Sequence, residues 1–274
     1  MSTLTLRLRS PLSQRIDMSP FTPELVAGRQ ADEVARILLW LGNRQVDAGE
    51  LFAINGNSTE QIVIQSDSDR LDRIGADMSG GSIRVEGNAG AYLGCGMRDG
   101  AIHVSGDVGL AAGCAMRGGR LALDGNAGGF LGGALPGERQ GMRGGSIVVK
   151  GSAGDRAGDS MRRGMILIAG DCGDYSASRM VAGTMVVLGQ CGAHTGTAMR
   201  RGSLILTNAP KSLPVTFNDN GRHNLNFLTL LSRGFKDLPA FASLADKGNL
   251  VQRWLGDLSC GGKGEILITT PDLA

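Results

Sequence analysis

Apolar and polar side chains alternate in short blocks that return at a fixed interval along most of this chain. The apolar members read Ile83/Val85, Ile102/Val104, Leu121/Leu123, Ile147/Val149, Ile166/Ile168, Met185/Val187 and Leu204/Leu206. Alternation with period two marks a strand with one buried face. A methionine precedes each block, at Met78, Met97, Met116, Met142, Met161, Met180 and Met199, with spacings of 19, 19, 26, 19, 19 and 19. The longer interval is one period plus seven residues, which we place near Gly133–Gly141 (GALPGERQG). Glycine follows each methionine by three residues (Gly81, Gly100, Gly119, Gly145, Gly164, Gly183, Gly202), and further glycines recur nine and twelve residues after it. Glycines that bracket short strands supply positive-φ turns.

One short strand with its turns has no partner for its apolar face, whereas stacked copies bury it. The predicted fold class is therefore all-β: a β-solenoid (β-helix) with about 19 residues per coil, capped by small α/β segments at both ends. Six to seven coils at the strand spacing of about 4.8 Å make a rod of about 30–35 Å. Hexapeptide acyltransferase helices need a period of six, and calcium-binding nonapeptides need a recurring Asp that these strands lack.

Open ends of such a stack expose strand edges, so caps are expected. We read residues 1–61 as an N-terminal cap, 62–208 as the solenoid and 209–274 as a C-terminal cap and tail. In the first cap LTLRL (4–8) is a strand and Thr22-Pro23-Glu24 is a helix start with proline at N1. ADEVARILLWLG (31–42) reads as a helix ending at Gly42, and LFAING (51–56) and IVIQ (62–65) as irregular first coils. In the second cap NLNFLTLLSRGF (224–235) reads as an apolar-faced helix after LPVTF (213–217), and EILITT (265–270) as a strand.

Composition agrees with regular turns rather than disorder. The 274 residues include 44 glycines, 42% are hydrophobic and aromatics are scarce at 4%. A net charge of +2 gives no reason to expect nucleic acid. No apolar run reaches the roughly 18 residues of a membrane span and no leader is evident, so a cytoplasmic location is expected. Five cysteines, none in a C-x-x-C pair, fit reduced thiols.

Equivalent positions stack into columns, and each column shares one environment. The methionines read as a core stack. Cys95/Cys114 and Cys172/Cys191 fall in shared columns and read as small buried hydrophobes, since no second ligand pair accompanies them. No metal site is expected. After the methionine comes a column of arginines, Arg98, Arg117, Arg143, Arg162 and Arg200, with Arg163 and Arg201 beside it; Ser79 and Val181 interrupt it. Stacked like charges repel. They imply either a solvated, internally paired face, with Asp107 and Asp171 as candidate partners, or a surface for carboxylates of a ligand or of another protein. The outward strand positions turn apolar in the later coils, at Val148, Leu167, Val186, Leu188 and Ile205, and need cover from the C-terminal helix, another protein, or both. His103, His194 and His223 have no ligand-type neighbours, and no nucleophile elbow or phosphate loop is present. No catalytic residue is expected on this chain.

The segment RIGADMSGGSIRVEGNAGAYLGCGMRDGAIHVSGDVG (73–109) resembles the glycine-repeat region of the C-type chain of formylmethanofuran dehydrogenase. That region is itself related to the C-terminal β-helix domain of the glutamate synthase large chain. DMSPFTPELVAGRQADEVARILLWLGNRQVDAGELFAINGN (17–57) and LPVTF (213–217) are similar to the flanks of the C-type chain, so the resemblance spans roughly residues 1–240. It implies a scaffold subunit without cofactor of its own. In the bacterial form of the complex, a formyl group passes from tetrahydromethanopterin to a methanofuran-type carrier and leaves as formate. Partners implied are an amidohydrolase-like chain, a formyltransferase chain and a homologue of the dehydrogenase's B-type chain, with metal ions and carrier in those partners. The extended tail (241–274) favours this bacterial form over the redox-active tungsten or molybdenum enzymes. A stand-alone binding or regulatory module of the glutamate synthase type is the other reading. Because the carrier bears glutamate carboxylates, the resemblance makes the arginine column a candidate holder for it.

Overall fold

The structure is a computed structural model, and it describes residues 3–57, 60–235, 237–241, 244 and 247–269. Most of the strands enter one mixed sheet, 13 in all. Ten of these run parallel and in register: Leu4–Leu8, Gln61–Gln65, Ser82–Glu86, Ala101–Val104, Arg120–Leu123, Arg143–Val149, Arg163–Ile168, Thr184–Val187, Ser203–Leu206 and Gly264–Thr269. Apart from an irregularity between Arg143 and Ser146, where Arg143 pairs with Arg163, each repeat-strand residue meets its counterpart one repeat on. The inward row runs Ile83, Ile102, Leu121, Ile147, Ile166, Met185, Leu204, Ile266, and all of it is buried. A second file of parallel bridges links Ala89, Val108, Ala127, Ala153, Cys172 and Cys191. Neighbouring repeats are thus bonded on more than one side.

The repeat glycines explain the register. Gly119 has φ +78°, and a Cβ there would lie 2.6 Å from the Met97 methyl and 2.8 Å from the Gly100 carbonyl. Gly145 meets Met116 and Gly183 meets Met161 in the same way, each at 2.8 Å. Every repeat methionine is fully buried. The glycine therefore makes the turn and also clears room for the methionine of the preceding repeat. Corners are closed by side chains. Asn88, Asp107, Asn126, Ser152 and Asp171 each accept the backbone N–H of the residue one repeat ahead, at 2.7–3.0 Å. The seven-residue insertion is looped out where expected. Gly132 donates to Ala112 and Met142 returns to donate to Gly132, both at 2.8 Å, so the columns resume without a register error.

The N-terminal segment departs from expectation. The helix assigned to 31–42 stops at Ala35, and Leu38–Leu41 instead pairs antiparallel with Arg44–Asp47. Leu39 is buried while Leu38 and Trp40 point out, which is period two, and Gly42-Asn43 is a two-residue hairpin turn with Gly42 at φ +65°. Thr22-Pro23 does open a helix (Pro23–Val26), although the Thr22 hydroxyl caps nothing. IVIQ is a regular rung rather than an irregular one. Phe52–Asn55 is an antiparallel edge strand against Leu4–Leu8.

At the other end the helix spans Phe227–Arg233, within the expected range. Gly264–Thr269 continues the parallel stack beside Ser203–Leu206; Thr270 of the expected strand lies outside the described residues, as do 271–274 of the tail. Two antiparallel strands, Leu250–Gly256 and the polar Asn218–Asn224, finish that edge and were not anticipated. Asp257 fastens this end to the stack. Its backbone N–H donates to Met199 O at 2.9 Å, and its carboxylate accepts from Ala198 N and Ser259 N, both at 2.9 Å. Burial works to raise its pKa, but hydrogen bonds from Thr216, Ser259 and the Ala198 backbone outweigh it and hold it at about 2.

Gly119→Ala should destabilise the protein by roughly 2–4 kcal/mol in urea unfolding. Gly137→Ala, at φ +84° with no atom within 4 Å, should cost only about 1 kcal/mol. Because Asp257 is depressed from an unfolded value near about 3.9, its contribution is complete above about pH 4 and lost as pH falls through about 2, on the order of 2 kcal/mol. An acid titration of stability should lose that component in Asp257→Asn.

Candidate functional site

The arginine column occupies the corner between each repeat's methionine and its strand. The backbone sets its pitch: Arg98, Arg117, Arg143, Arg162 and Arg200 donate their N–H groups to Met78, Met97, Met116, Met142 and Met180 at 2.7–2.8 Å. Val181 holds the same bond to Met161, so the gap in charge is not a gap in structure. The side chains of Arg98, Arg117, Arg162, Arg163, Arg200 and Arg201 are exposed, and Arg143 is half-buried with its Nε lacking a hydrogen-bond partner. Among the described residues, none of the seven has a carboxylate within 4.0 Å. Asp107 and Asp171, weighed above as internal partners, are engaged in the corner ladder instead. At one end Glu24 reaches the column's first position and accepts from Ser79 N at 2.9 Å and Ser79 Oγ at 3.2 Å. The arrangement is a row of cations spaced by the repeat, with no neutralising group among the described residues.

The outward apolar strip has a cover within the chain. Val148, Leu167, Val186 and Ile205 are buried, and Leu188 is half-buried, against Leu228, Phe235, Phe241, Leu244 and Val251. Phe235 and Phe241 meet edge to face with centroids 6.1 Å apart. The helix expected at 224–235 supplies part of this cover; the strand Leu250–Gly256 and the turn Pro239–Phe241 supply the rest.

Two groupings are not evident in the sequence. On the open half of the sheet face, Asp124 accepts from Lys150 Nζ at 2.7 Å and pairs with His103 Nε2 at 3.0 Å. Burial works to raise Asp124, but Lys150 and His103 outweigh it and lower its pKa. His103 lies on one strand, and Asp124 and Lys150 directly follow the next two, so a motif search in sequence separates them. On another side, Arg156 lies over Tyr175 at 4.7 Å and Phe130 at 5.9 Å, and Tyr175 stacks on His194 at 4.7 Å. These residues share a left-handed column with φ near +60°, and their period of 19 (26 across the insertion) was the available signal. Beside it a cleft of about 350 Å³ is lined by Tyr92, Leu110, Phe130, Leu135, Asp159 and Arg179, with Asp159 buried and bonded to Arg179 and Ser178.

Cys95 and Cys114 sit beneath that cleft with their sulfurs 3.6 Å apart. The hydrogen bond from Cys114 draws Cys95 below its ordinary pKa, against burial and with help from Arg73; the same bond and burial push Cys114 up. Cys172 and Cys191 pair in the main core. Among the described residues no three His, Cys, Asp or Glu side chains gather as a metal would need. Among them, too, no helix is long and apolar enough to cross a membrane.

No family model matches the chain. A solved structure of the formyltransferase/hydrolase complex (FhcABCD) from Methylorubrum extorquens, in complex with methylofuran, contains a chain that superposes with a TM-score of 0.91 at 40% identity. The match covers 97% of this chain and 99% of that one. The chain belongs to the family of C-type chains of formyltransferase/hydrolase complexes and formylmethanofuran dehydrogenases. Its relative from Methylorubrum extorquens, the C-type chain of the Fhc formyltransferase/hydrolase complex, is 43% identical over 89 residues, 32% of this chain and 34% of that protein. The C-type chain of the molybdenum-containing formylmethanofuran dehydrogenase 1 of Methanosarcina barkeri is 34% identical over 98 residues, 34% of this chain and 33% of that protein. These two alignments span about a third of the curated relatives' length, whereas the structural match to the family runs end to end.

Phe241→Ala should remove about 3 kcal/mol from the cover over the apolar strip. Limited proteolysis followed by mass analysis should then show cleavage beyond residue 209 while the repeats stay intact.

Proposed function

We propose that this chain is the non-catalytic structural subunit of a cytoplasmic formyltransferase/hydrolase complex in one-carbon metabolism. The complex converts formyl-tetrahydromethanopterin to formate by way of a formyl-methanofuran-type carrier. The end-to-end likeness to a chain of the FhcABCD complex carries this reading. Identity of 43% to the Fhc chain against 34% to the molybdenum enzyme's chain favours the hydrolytic complex over a redox-active one. Partners are the amidohydrolase-like, formyltransferase and B-type chains, which hold the metal ions and the reaction centres.

The scaffold is a β-solenoid of 19-residue coils, residues 62–208, between a cap at 1–61 and a cap with tail at 209–274. Its interior is aliphatic, which supports a role in positioning rather than in turnover. The arginines Arg98, Arg117, Arg143, Arg162, Arg163, Arg200 and Arg201 hold carboxylates of the carrier or of an acidic partner segment. Their lack of any carboxylate from the described chain supports this, because unpaired stacked cations gain most from an external anion.

Co-expression should yield a stable hetero-oligomer with the three partner chains, and the purified single chain should show no formyl transfer or hydrolysis. Turnover by the single chain would end the scaffold reading. Replacing Arg98 and Arg117, or Arg143 and Arg162, by Ala should weaken carrier retention or assembly about tenfold per pair. The wild-type interaction should weaken as salt rises. Unchanged carrier kinetics together with unchanged assembly would remove the binding role.

A further inference from the structure

We infer that Cys95 and Cys114 form an oxidisable dithiol, sealed by the seven-residue insertion, which closes to a disulfide between adjacent repeats when it meets a hydroperoxide. Three observations converge on it. The sulfurs are 3.6 Å apart, and the two cysteines hold equivalent positions one repeat apart. Adjacent repeats lie about 4.8 Å apart, inside the range of about 4.4–6.8 Å that a disulfide spans between Cα atoms. A small side-chain rotation therefore brings the sulfurs to bonding distance without moving the backbone ladder.

The pair also lies outside the main core. It forms a separate cluster with Ala76 and Ala111, and Tyr92, Phe130 and Leu135 pack against it. Leu135 belongs to the insertion, so the one irregular repeat places its extra residues over these thiols. Tyr92, Phe130 and Leu135, which pack against this pair, also line a cleft, whereas Cys172 and Cys191 belong to the main core. Cys95 is 6% exposed and Cys114 is fully buried, which assigns the first attack to Cys95. The hydrogen bond from Cys114 and the nearby Arg73 favour the Cys95 thiolate and outweigh burial and Asp77, which oppose it.

The chemistry balances with hydrogen peroxide as oxidant. The Cys95 thiolate attacks one peroxide oxygen, the O–O bond breaks, and the leaving hydroxide takes a proton to become water. Cys95 is then a sulfenic acid. The Cys114 sulfur displaces its hydroxyl, the S–O bond breaks as the S–S bond forms, and the Cys114 proton leaves with that hydroxyl as a second water. Two thiols and one peroxide give one disulfide and two waters.

The test is peroxide treatment of the folded full-length chain, alkylation of remaining thiols after unfolding, and non-reducing peptide mass mapping. The expected product is a Cys95–Cys114 cross-link, lighter by two hydrogens and reversed by dithiothreitol. It should appear at least about tenfold faster than any Cys172–Cys191 product. Leu135→Ala should accelerate it several-fold. Cys114→Ser should leave a dimedone-reactive sulfenic acid at Cys95. Full recovery of alkylated Cys95 and Cys114, oxidation confined to the exposed Cys260, or equal rates for the two buried pairs would each overturn the proposal.

Discussion

The parallel stack depends on the close contact between the positive-φ glycine of a repeat, from Gly100 to Gly202, and the methionine methyl of the repeat before it. A side chain at the glycine collides with that methyl and with a backbone carbonyl, so the two residues specify each other across one strand spacing. Alternation with one buried face rules out a slip by one residue, but a slip by two keeps the same face buried. The glycine–methionine fit adds a steric key once per repeat, and the Asn, Asp and Ser corner bonds add a polar one. The parallel rows of the sheet, the arginine pitch and the cysteine pairing are all set by that single spacing.

The repeat was legible because it recurs, and recurrence turns weak local signals into a strong one. The interior rows, the buried methionines and the looped-out insertion all stand where the spacing places them. The caps carry one copy of each element and are harder to read. Residues 36–42 have enough leucine to pass for a helix, and the Gly42-Asn43 turn decides for a hairpin in which Leu39 and Leu41 face the core while Leu38 and Trp40 point out. The strands Asn218–Asn224 and Leu250–Gly256 lack clean alternation because their partners, not their own composition, hold them.

The candidate surfaces divide along the same line. Columns defined by identity, such as the arginines, stand out in sequence; columns defined by geometry show there only as a period. Asp124 draws His103 and Lys150 together from separate repeats, and Arg156, Tyr175, Phe130 and His194 share a backbone conformation rather than a residue type. The apolar strip was visible as a need for cover. The cover itself comes from three unrelated pieces of the C-terminal segment, and only coordinates assemble them.

Strands that run against the rungs close the parallel stack on both sides of the 13-stranded sheet. Phe52–Asn55 does so at one margin, and Leu250–Gly256 does so near the other, with Asn218–Asn224 paired beyond it. A second molecule arriving head to tail finds no bare rung of the parallel stack on which to continue the ladder, and at the far margin it meets a row of polar side chains. The chain thereby carries its own stop codes against growth into a fibre, a hazard that an open parallel stack with so regular a spacing would otherwise invite.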